Sequence, residues 1–461
     1  MSQSISSPRN MNRFLIIWAG QLISLIGSGL TSFALGVWIL EQSGRATPFS
    51  LVVLLATLPR ILLAPLAGSL ADRWNRRRIM ILADSGDALV TLATALLLLS
   101  GRLAVWHVAL LAPLSAAFAA FQSPAYAASV VMLVPKEHLP RANGLMQMGR
   151  AIEILLAPTL AGVLFGWVGM EGVVLIDFAS YVFAIGALLV VRIPQPEAST
   201  MAPGGRRGML WRDLTFGWGY LRERAGLLGL LLYFALANFA LNLSVVLMGP
   251  LVLSFGTADT FGVLRTVCGA GMLAGSIALS VWGGPRHRVS GAIGSVGLGA
   301  LGLMLAGIRP VGGVVGAGLF LLLFCIPIAA GLSRVVFQSK IEPAAQGRVM
   351  AVSEILSHSM MPLAYLISGP LADYVCEPWM REGGLLATTI IGEMIGVGAG
   401  RGIGLMFVIS GLVLLLASGV TLANPRVRRI EVEITDAVVG QPELTPEERP
   451  SAGEPVLAFT A

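Results

Sequence analysis

The sequence predicts an all-α membrane protein with twelve transmembrane helices in two six-helix bundles. Three observations lead to this fold class: the composition, the recurrence of long apolar segments, and the distribution of Lys and Arg along the chain. Of the 461 residues, 56% are hydrophobic and only 12% are Asp, Glu, Lys or Arg. An average soluble domain has about 45–50% and about 25% of these classes. A soluble fold of this size could not cover its surface with so few charges.

Apolar segments of about 18 residues or more recur along the chain, and each is long enough to cross a hydrocarbon core of about 30 Å. The first is too long for the core of a signal peptide, so we expect it to be retained. Arg clusters, Pro and Gly-rich turns divide the segments into six spans, a polar interval and six more. The predicted spans are 12–40, 50–71, 79–99, 104–126, 143–169, 173–192, 226–254, 258–282, 289–308, 311–334, 348–376 and 402–424.

The positions of Lys and Arg test this division, because these residues are enriched in cytoplasmic loops. If the N-terminus is cytoplasmic, 21 of them lie in loops and termini on that side and 5 on the other. The asymmetry predicts a multi-pass membrane protein of twelve helices with both termini in the cytoplasm. The expected organisation is an N-terminal bundle, a linker, a C-terminal bundle and a tail, at 1–192, 193–225, 226–424 and 425–461.

The linker opens with Pro and Gly residues and then places Trp211, Leu214, Trp218 and Leu221 at helical spacing. This spacing predicts an amphipathic helix, which either lies on the cytoplasmic membrane surface or packs between the two bundles. The tail changes to Pro, Glu and Thr without periodicity, so we expect it to be disordered.

Several other kinds of site are not predicted, because the sequence lacks the motifs that they require. A phosphate-binding P-loop needs Gly before Lys, but the only two lysines, Lys136 and Lys340, follow Pro and Ser. The four His residues are far apart in sequence, so no paired-His zinc site is predicted. The basic residues are scattered over short loops, which does not suit a nucleic-acid surface. We therefore expect no enzyme activity, no metal, no cofactor and no nucleic-acid partner.

The loop between the second and third spans reads GSLADRWNRRRIM. It resembles the signature loop of the major facilitator superfamily at Gly68, Asp72, Arg73, Arg76 and Arg77. The resemblance implies a gating latch that joins the two halves on the cytoplasmic side in the outward-open state, with Asp84 as a further member; the alternative is a simple basic loop. Gly68 would allow close helix approach, and Asn75, in place of a family Gly, would keep a left-handed turn.

Further segments resemble the macrolide-efflux type of drug exporter within that superfamily. They are WAGQLISLIGSGLTSFALGVWIL, FQSPAYAASVVMLVPKEHLPRANGL, VVLIDFASYVFAI, QGRVMAV and SGPLADYV. The resemblance implies the major facilitator fold and a secondary active exporter of amphiphilic organic compounds, working by alternating access and proton antiport. The expected partners are a small-molecule substrate, protons and the bilayer, and we expect a monomer. A siderophore or natural-product exporter shares the scaffold, and a non-transporting membrane sensor or assembly protein is the alternative of another class.

Charged residues within the spans are the candidate substrate and proton sites, because each costs at least about 2.5–3.5 kcal/mol at mid-bilayer on insertion scales. The candidates are Arg60, Arg150, Glu153, Asp177, Glu354 and His358. Arg60 is the candidate for substrate contact and suggests an anionic or amphiphilic cargo. Glu354 and His358 lie one helical turn apart and form the candidate proton site, because imidazole titrates near neutral pH. The alternatives are a structural Arg150–Glu153 ion pair and a helix cap at Asp177.

Overall fold

The computed structural model describes residues 10–135, 138–193, 206–341, 343–428 and 430. Within these residues the chain is helical and contains no strand. The side chains of some further residues, among them Asp72, Arg73, Glu354 and His358, lie outside the described part. The Pro- and Gly-rich start of the linker and most of the predicted disordered tail also lie outside it. The first residues of that tail are ordered, since Pro425–Arg428 form a short helix with Val427 buried.

The first half of the chain forms five helices. They are α1 (Met11–Ser43), α2 (Ala46–Arg73), α3 (Arg76–Leu99), α4 (Val105–Leu133) and α5 (Leu139–Val190). With 52 residues, α5 is far longer than one membrane crossing needs. Its backbone is non-helical at Gly169, where φ is 68°. Because only glycine readily adopts that angle, α5 turns there and supplies the fifth and sixth predicted spans.

The second half begins with α6 (Arg206–Glu223), which packs against α12 and α7. The longer helices that follow are α7 (Ala225–Val245), α9 (Ala258–Trp282), α10 (Arg288–Ile308), α11 (Gly312–Lys340), α12 (Pro343–Leu371) and α15 (Arg401–Ala423). The shorter elements are α8 (Met248–Leu253), a π-helical turn (Ala372–Cys376), α13 (Glu377–Met380), α14 (Ile390–Ile395) and α16 (Pro425–Arg428).

In the described part of the chain, ten helical segments are long and apolar enough to cross a membrane. One of them holds both arms of α5. Although α12 is not among the ten, its 29 residues are also long enough to cross. The predicted all-α membrane fold is confirmed, and these segments are compatible with the six-plus-six count.

The faces of α3 show how the sequence positions the helices. Leu82, Leu89 and Leu96, at seven-residue spacing, are 64%, 66% and 58% exposed, which suits contact with lipid chains. The face that packs on α4 and α5 carries Asp84 and Thr91, both buried. The polar side chains therefore point into the bundle, as the cost of placing them in lipid requires.

We refer to residues 10–193 as the N-terminal half and residues 206–430 as the C-terminal half. The Arg45 end of the molecule contains the start of α2 and the turn at Gly169. The Arg76 end contains the α2–α3 loop and the start of α5. The two halves meet mainly where α2 contacts α12 and α5 contacts α9. Every hydrogen bond between the halves in the described residues lies toward the Arg45 end.

Candidate functional site

The arginines of the α2–α3 loop bind backbone carbonyls within the N-terminal half. Arg77 donates from Nε to the Leu188 carbonyl at 2.6 Å and from Nη2 to the Leu189 carbonyl at 2.7 Å. These carbonyls end α5, where a positive charge is favourable. Arg76 donates to the Ala71 carbonyl at 3.2 Å. In this state the two arginines hold the N-terminal half together, and the roles of Asp72 and Arg73 in a latch remain predictions.

One expectation for this loop is wrong in this structure, and a second finds no contact here. Asn75 has an extended backbone with φ −63°, and its side chain accepts the Arg78 N–H at 3.1 Å. It caps α3, which Asn does well, so the loop needs no left-handed residue. At Gly68, an added Cβ would meet no atom within 4 Å. No close helix approach is therefore seen at Gly68 in this state, and its role in the outward-open latch stays a prediction.

Asp84 belongs to a hydrogen-bonded network inside the N-terminal half. The side-chain amide of Gln21 donates to Asp84 Oδ2 at 2.8 Å, and Gln122 donates to Gln21. Asp84 is only 5% exposed. In the described residues its hydrogen-bond partner is Gln21 of α1. The side chains of Asp72 and Arg73 lie outside the described part, so the membership of Asp84 in the loop latch stays a prediction.

Asp177 lies in a second part of the same interior, with only 1% exposed. It accepts the Ser28 hydroxyl at 3.3 Å, and Ser28 is 3.0 Å from the Tyr181 hydroxyl. The helix-cap alternative is wrong, because the helix begins near Gly169, two turns earlier. Sequence analysis did not select Asp87, whose Oδ1 is buried and without a hydrogen-bond partner in the described residues. The sequence feature that could have identified Asp87 is its position within the predicted span 79–99, where a charged residue is costly.

Two cavities meet at Glu153 near the centre of the molecule. The first, of about 650 Å³, lies toward the Arg76 end and is lined by Arg60, Arg150 and Glu153 together with polar residues of α1 and α4. The second, of about 340 Å³, lies between the halves and is lined by Glu153, Arg265 and Tyr365 together with aromatic and small residues. Arg265 was not among the candidate sites predicted from the sequence, although it lies within the predicted span 258–282.

Glu153 lies against α1 at Gly29. An added Cβ on Gly29 would be 3.3 Å from Glu153 Cγ and 3.8 Å from Oε1. In the described residues the carboxylate makes no ion pair within 4 Å, with Arg150 or any other residue. The proposed structural ion pair between Arg150 and Glu153 is therefore not formed, although both residues border the same cavity.

A third cavity, of about 230 Å³, lies within the C-terminal half. Its lining is mostly apolar, with Phe234, Leu241 and Phe337 among the side chains, and Asn238 and Arg334 are polar exceptions. Glu354 and His358 lie on α12, which also contributes to this lining. Their side chains are outside the described part, so the proton site proposed for them remains a prediction.

The Arg45 end contains a contact between the halves that sequence analysis missed. Asp373, just beyond α12, accepts the Ala46 N–H at 3.0 Å, the Thr47 N–H at 2.7 Å and the Thr47 hydroxyl at 2.6 Å. Arg45, which precedes α2, makes no side-chain cap. A carboxylate from the other half therefore caps α2, which suits the positive end of a helix dipole. An acidic residue at the end of a predicted span was the only sequence signal.

A second contact between the halves at this end joins α5 to α9, and we refer to it as the α5–α9 seam. An added Cβ on Gly262 would lie 2.7 Å from the Pro158 carbonyl oxygen, so the two helices come as close as glycine allows. Thr159 and Thr266 share a hydrogen bond between their hydroxyl groups, and the Thr266 hydroxyl donates to the Leu155 carbonyl at 3.0 Å. The Arg45 end is thus closed by backbone and short polar side chains.

Comparison with known proteins identifies the family of this two-half bundle. The sequence matches the Major Facilitator Superfamily over residues 17–365. The chain belongs to this superfamily. It is 28% identical over 391 residues to macrolide efflux protein A of Streptococcus pyogenes, covering 82% of this chain and 94% of the relative. It is 25% identical to the multidrug efflux pump Tap of Mycobacterium bovis, covering 79% and 88%. The predicted likeness to macrolide-efflux exporters is confirmed.

Solved structures of other transporters share the fold. A bacterial homologue of the human lysosomal transporter Spinster, in an inward-facing and unoccupied conformation, has a TM-score of 0.66 at 15% identity and covers 92% of this chain and 98% of its own. A bacterial homologue of the iron transporter ferroportin, in an inward-facing state, has a TM-score of 0.65 at 15% identity, covering 90% and 98%. The protein is a multi-pass membrane transporter, with the family and fold of transporters and not of enzymes.

Proposed function

We propose that this superfamily member exports amphiphilic organic compounds across the bacterial cytoplasmic membrane. The observation that carries the proposal is the likeness to macrolide efflux protein A, which extends over nearly the whole length of that relative. The cavities are compatible with such a cargo, because apolar walls in both halves surround a few charged groups. Ligand sites of this kind combine an apolar lining with a small number of polar contacts.

The asymmetry between the two ends supports a mechanism of alternating access. The halves are joined at the Arg45 end, while the largest of the described central cavities lies toward the Arg76 end. With the N-terminus in the cytoplasm, as the Lys and Arg distribution predicts, this state would load cargo from the cytoplasm. Release outside would require the Arg45 end to open and the halves to approach at the Arg76 end, where the predicted latch loop lies.

The energy source in this proposal is an inward proton flow, since the sequence has no P-loop. Glu354 and His358 on α12 remain the proposed proton site. Asp84, Asp177 and Glu153 are further carboxyl groups inside the membrane region, and of these three only Glu153 borders the central cavities. A proton carrier must meet both sides of the membrane in turn, so Glu153 is the next site to test.

Inside-out vesicles from a pump-deficient bacterial host would test the function. We expect ATP-independent accumulation of erythromycin or of a catecholate siderophore, abolished by a protonophore. Accumulation of the siderophore alone would favour the natural-product alternative. Equal levels in vesicles with and without the protein would contradict export and favour a sensor or assembly role.

The proton site is tested by Glu354→Gln, which keeps the shape of the side chain but cannot cycle a proton. We expect uphill transport to be lost while downhill exchange is partly kept, and His358→Ala to shift the pH dependence. Glu382→Gln, in an exposed loop, is the control. If both α12 variants pump uphill with the native pH profile, coupling lies elsewhere or does not use protons.

A further inference from the structure

Four charged side chains from three helices border the central cavities. Arg60 lies on α2, Arg150 and Glu153 on α5, and Arg265 on α9, so both halves contribute. Glu153 lines both cavities, with Arg60 and Arg150 on one side and Arg265 on the other. The charges of all three arginines act on the Glu153 carboxylate. They therefore form one electrostatic site that spans the interface between the halves.

The three guanidinium groups lack the partners that charges in a membrane protein require. Arg60 lies at the middle of α2, which runs from Ala46 to Arg73. In the described part of the chain, none of the three arginines makes a hydrogen bond or an ion pair within 4 Å. Charged groups at membrane depth normally face a partner, a cavity or a ligand. Here the cavity is present and a protein partner in direct contact is not.

The acidic groups nearby do not balance these charges. Glu153 is the single carboxylate among the central lining residues, against Arg60, Arg150 and Arg265. Arg60 also borders a separate N-terminal cavity that contains Asp177, and its charge acts on Asp87. Even if the charge of Arg60 is balanced by Asp87 and Asp177, the two positive charges of Arg150 and Arg265 exceed the single negative charge of Glu153. The central site thus carries excess positive charge in surroundings that screen it poorly.

We infer that the two central cavities, where they meet at Glu153, bind the anionic group of the cargo, a carboxylate or phosphate joined to an apolar body. This rests on the proposed export function and adds a substrate class to it. Arg60 and Arg265 are the anion ligands from the two halves, because guanidinium groups match carboxylate and phosphate oxygens in pairs. The stacked rings of Phe33 and Phe261, 4.9 Å apart beside Arg265, provide apolar contact.

Glu153 acts as a competitor for the same arginines. Its carboxylate is the negative charge on which the three guanidinium groups act. An anionic cargo between Arg60 and Arg265 contacts both halves at once, so it has a different affinity for each conformation, as an alternating-access substrate must. Removing the charge of Glu153 therefore strengthens anion binding, whereas removing an arginine weakens it.

Two dyes with the same xanthene ring and opposite charge provide the test in inside-out vesicles. Carboxyfluorescein is anionic and rhodamine 6G is cationic. We expect the wild-type protein to accumulate carboxyfluorescein. Arg60→Gln and Arg265→Gln should each raise its KM about tenfold or more, and Glu153→Gln should lower it. Arg102→Gln, which removes an exposed charge outside these cavities, is the matched control at equal membrane abundance.

The outcomes separate this inference from the proposed function. Accumulation of rhodamine 6G alone, or of carboxyfluorescein with an unchanged KM in Arg265→Gln, would overturn the anion site and leave export standing. If vesicles with folded protein accumulate none of the four compounds (the two dyes, erythromycin and the siderophore), both the anion site and the export function are contradicted. Opposite KM changes in Glu153→Gln and Arg265→Gln support the site even if one arginine variant is poorly expressed.

The anionic group could belong to a free solute or to a lipid. Purified protein in phosphatidylcholine liposomes, with and without phosphatidylglycerol, distinguishes the two sources. Inhibition of carboxyfluorescein uptake by phosphatidylglycerol, lost in Arg265→Gln, supports a lipid phosphate as occupant. Uptake that is insensitive to phosphatidylglycerol but sensitive to Arg265→Gln supports a free anion.

Discussion

The two ends of the transporter are built differently. The Arg45 end is closed by hydrogen bonds and by glycine contacts between the halves. At the Arg76 end, the N-terminal half has a hydrophobic core of its own, which includes Phe14, Met80 and Leu188 and, among the described residues, none from the C-terminal half. The loop arginines there bind carbonyls of their own half. Closure thus depends on short-range fit at one end and, by prediction, on charge at the other.

This difference has a physical consequence. Contacts to backbone oxygen and amide groups form only within a few tenths of an ångström, so the Arg45 end should close in an all-or-none manner. Charges attract over a longer distance and tolerate looser geometry. We therefore expect the Arg45 end to be more sensitive to added volume, and the Arg76 end to be more sensitive to removal of charge.

The largest expected effect is that of added volume at the Arg45 end. Gly262→Ala places a Cβ 2.7 Å from the Pro158 carbonyl oxygen, so α5 and α9 must separate. Such overpacking costs about 1–3 kcal/mol, and transport should fall about tenfold or more. Gly186→Ala is the control, because a Cβ there meets nothing within 4 Å. Equal transport by both variants would show that the α5–α9 seam need not close.

Removal of the Asp373 carboxylate should have the next largest effect. Asp373→Ala leaves the Ala46 and Thr47 N–H groups without a cap, and hydrogen bonds to charged groups contribute about 1.5–3 kcal/mol. The population should shift by about tenfold toward the state open at the Arg45 end. Spin labels at positions 102 and 385, on opposite halves, would report a longer distance. An unchanged distance distribution would contradict the gating role, and Asp373→Asn should give an intermediate result.

A smaller effect is expected at the Arg76 end. If Asp72 belongs to a latch that stabilises the opposite state, Asp72→Asn should reduce export several-fold without preventing membrane insertion. The double variant Asp72→Asn with Asp373→Asn should then transport better than either single variant, because both states are destabilised together. Strictly additive losses in the double variant, or unchanged export by Asp72→Asn at equal abundance, would contradict a latch.

The smallest effect on transport is expected from single-cysteine labelling, which tests which end of the molecule faces the cytoplasm. The three native cysteines are buried and can be replaced before single cysteines are introduced. Positions in 193–207 and 430–461 should react with an impermeant thiol reagent only from the cytoplasm, and positions in 381–400 only from outside, with transport unchanged. Outside labelling of 193–207 would overturn the predicted orientation and reverse the direction assigned to each gate.

Much of the fold could be predicted because bilayer crossing imposes a length and a polarity on each helix. The predicted span 258–282 coincides with α9, and the break between the fifth and sixth spans coincides with the turn at Gly169. Local chemistry was harder to predict. The sequence suggested a left-handed turn at Asn75, but the residue caps a helix. A cap and a left-handed turn both suit Asn, and only the course of the chain distinguishes them.

The sequence by itself determined the class of protein, its family and the positions of its in-membrane charges, since these depend on composition and on patterns within single segments. Only the tertiary structure decided which charges meet. Asp373 caps a helix that begins 327 residues earlier, and Arg265 joins Arg60, Arg150 and Glu153 around the central cavities. Such encounters depend on how separate helices pack in one conformational state, and no periodicity along the chain encodes them.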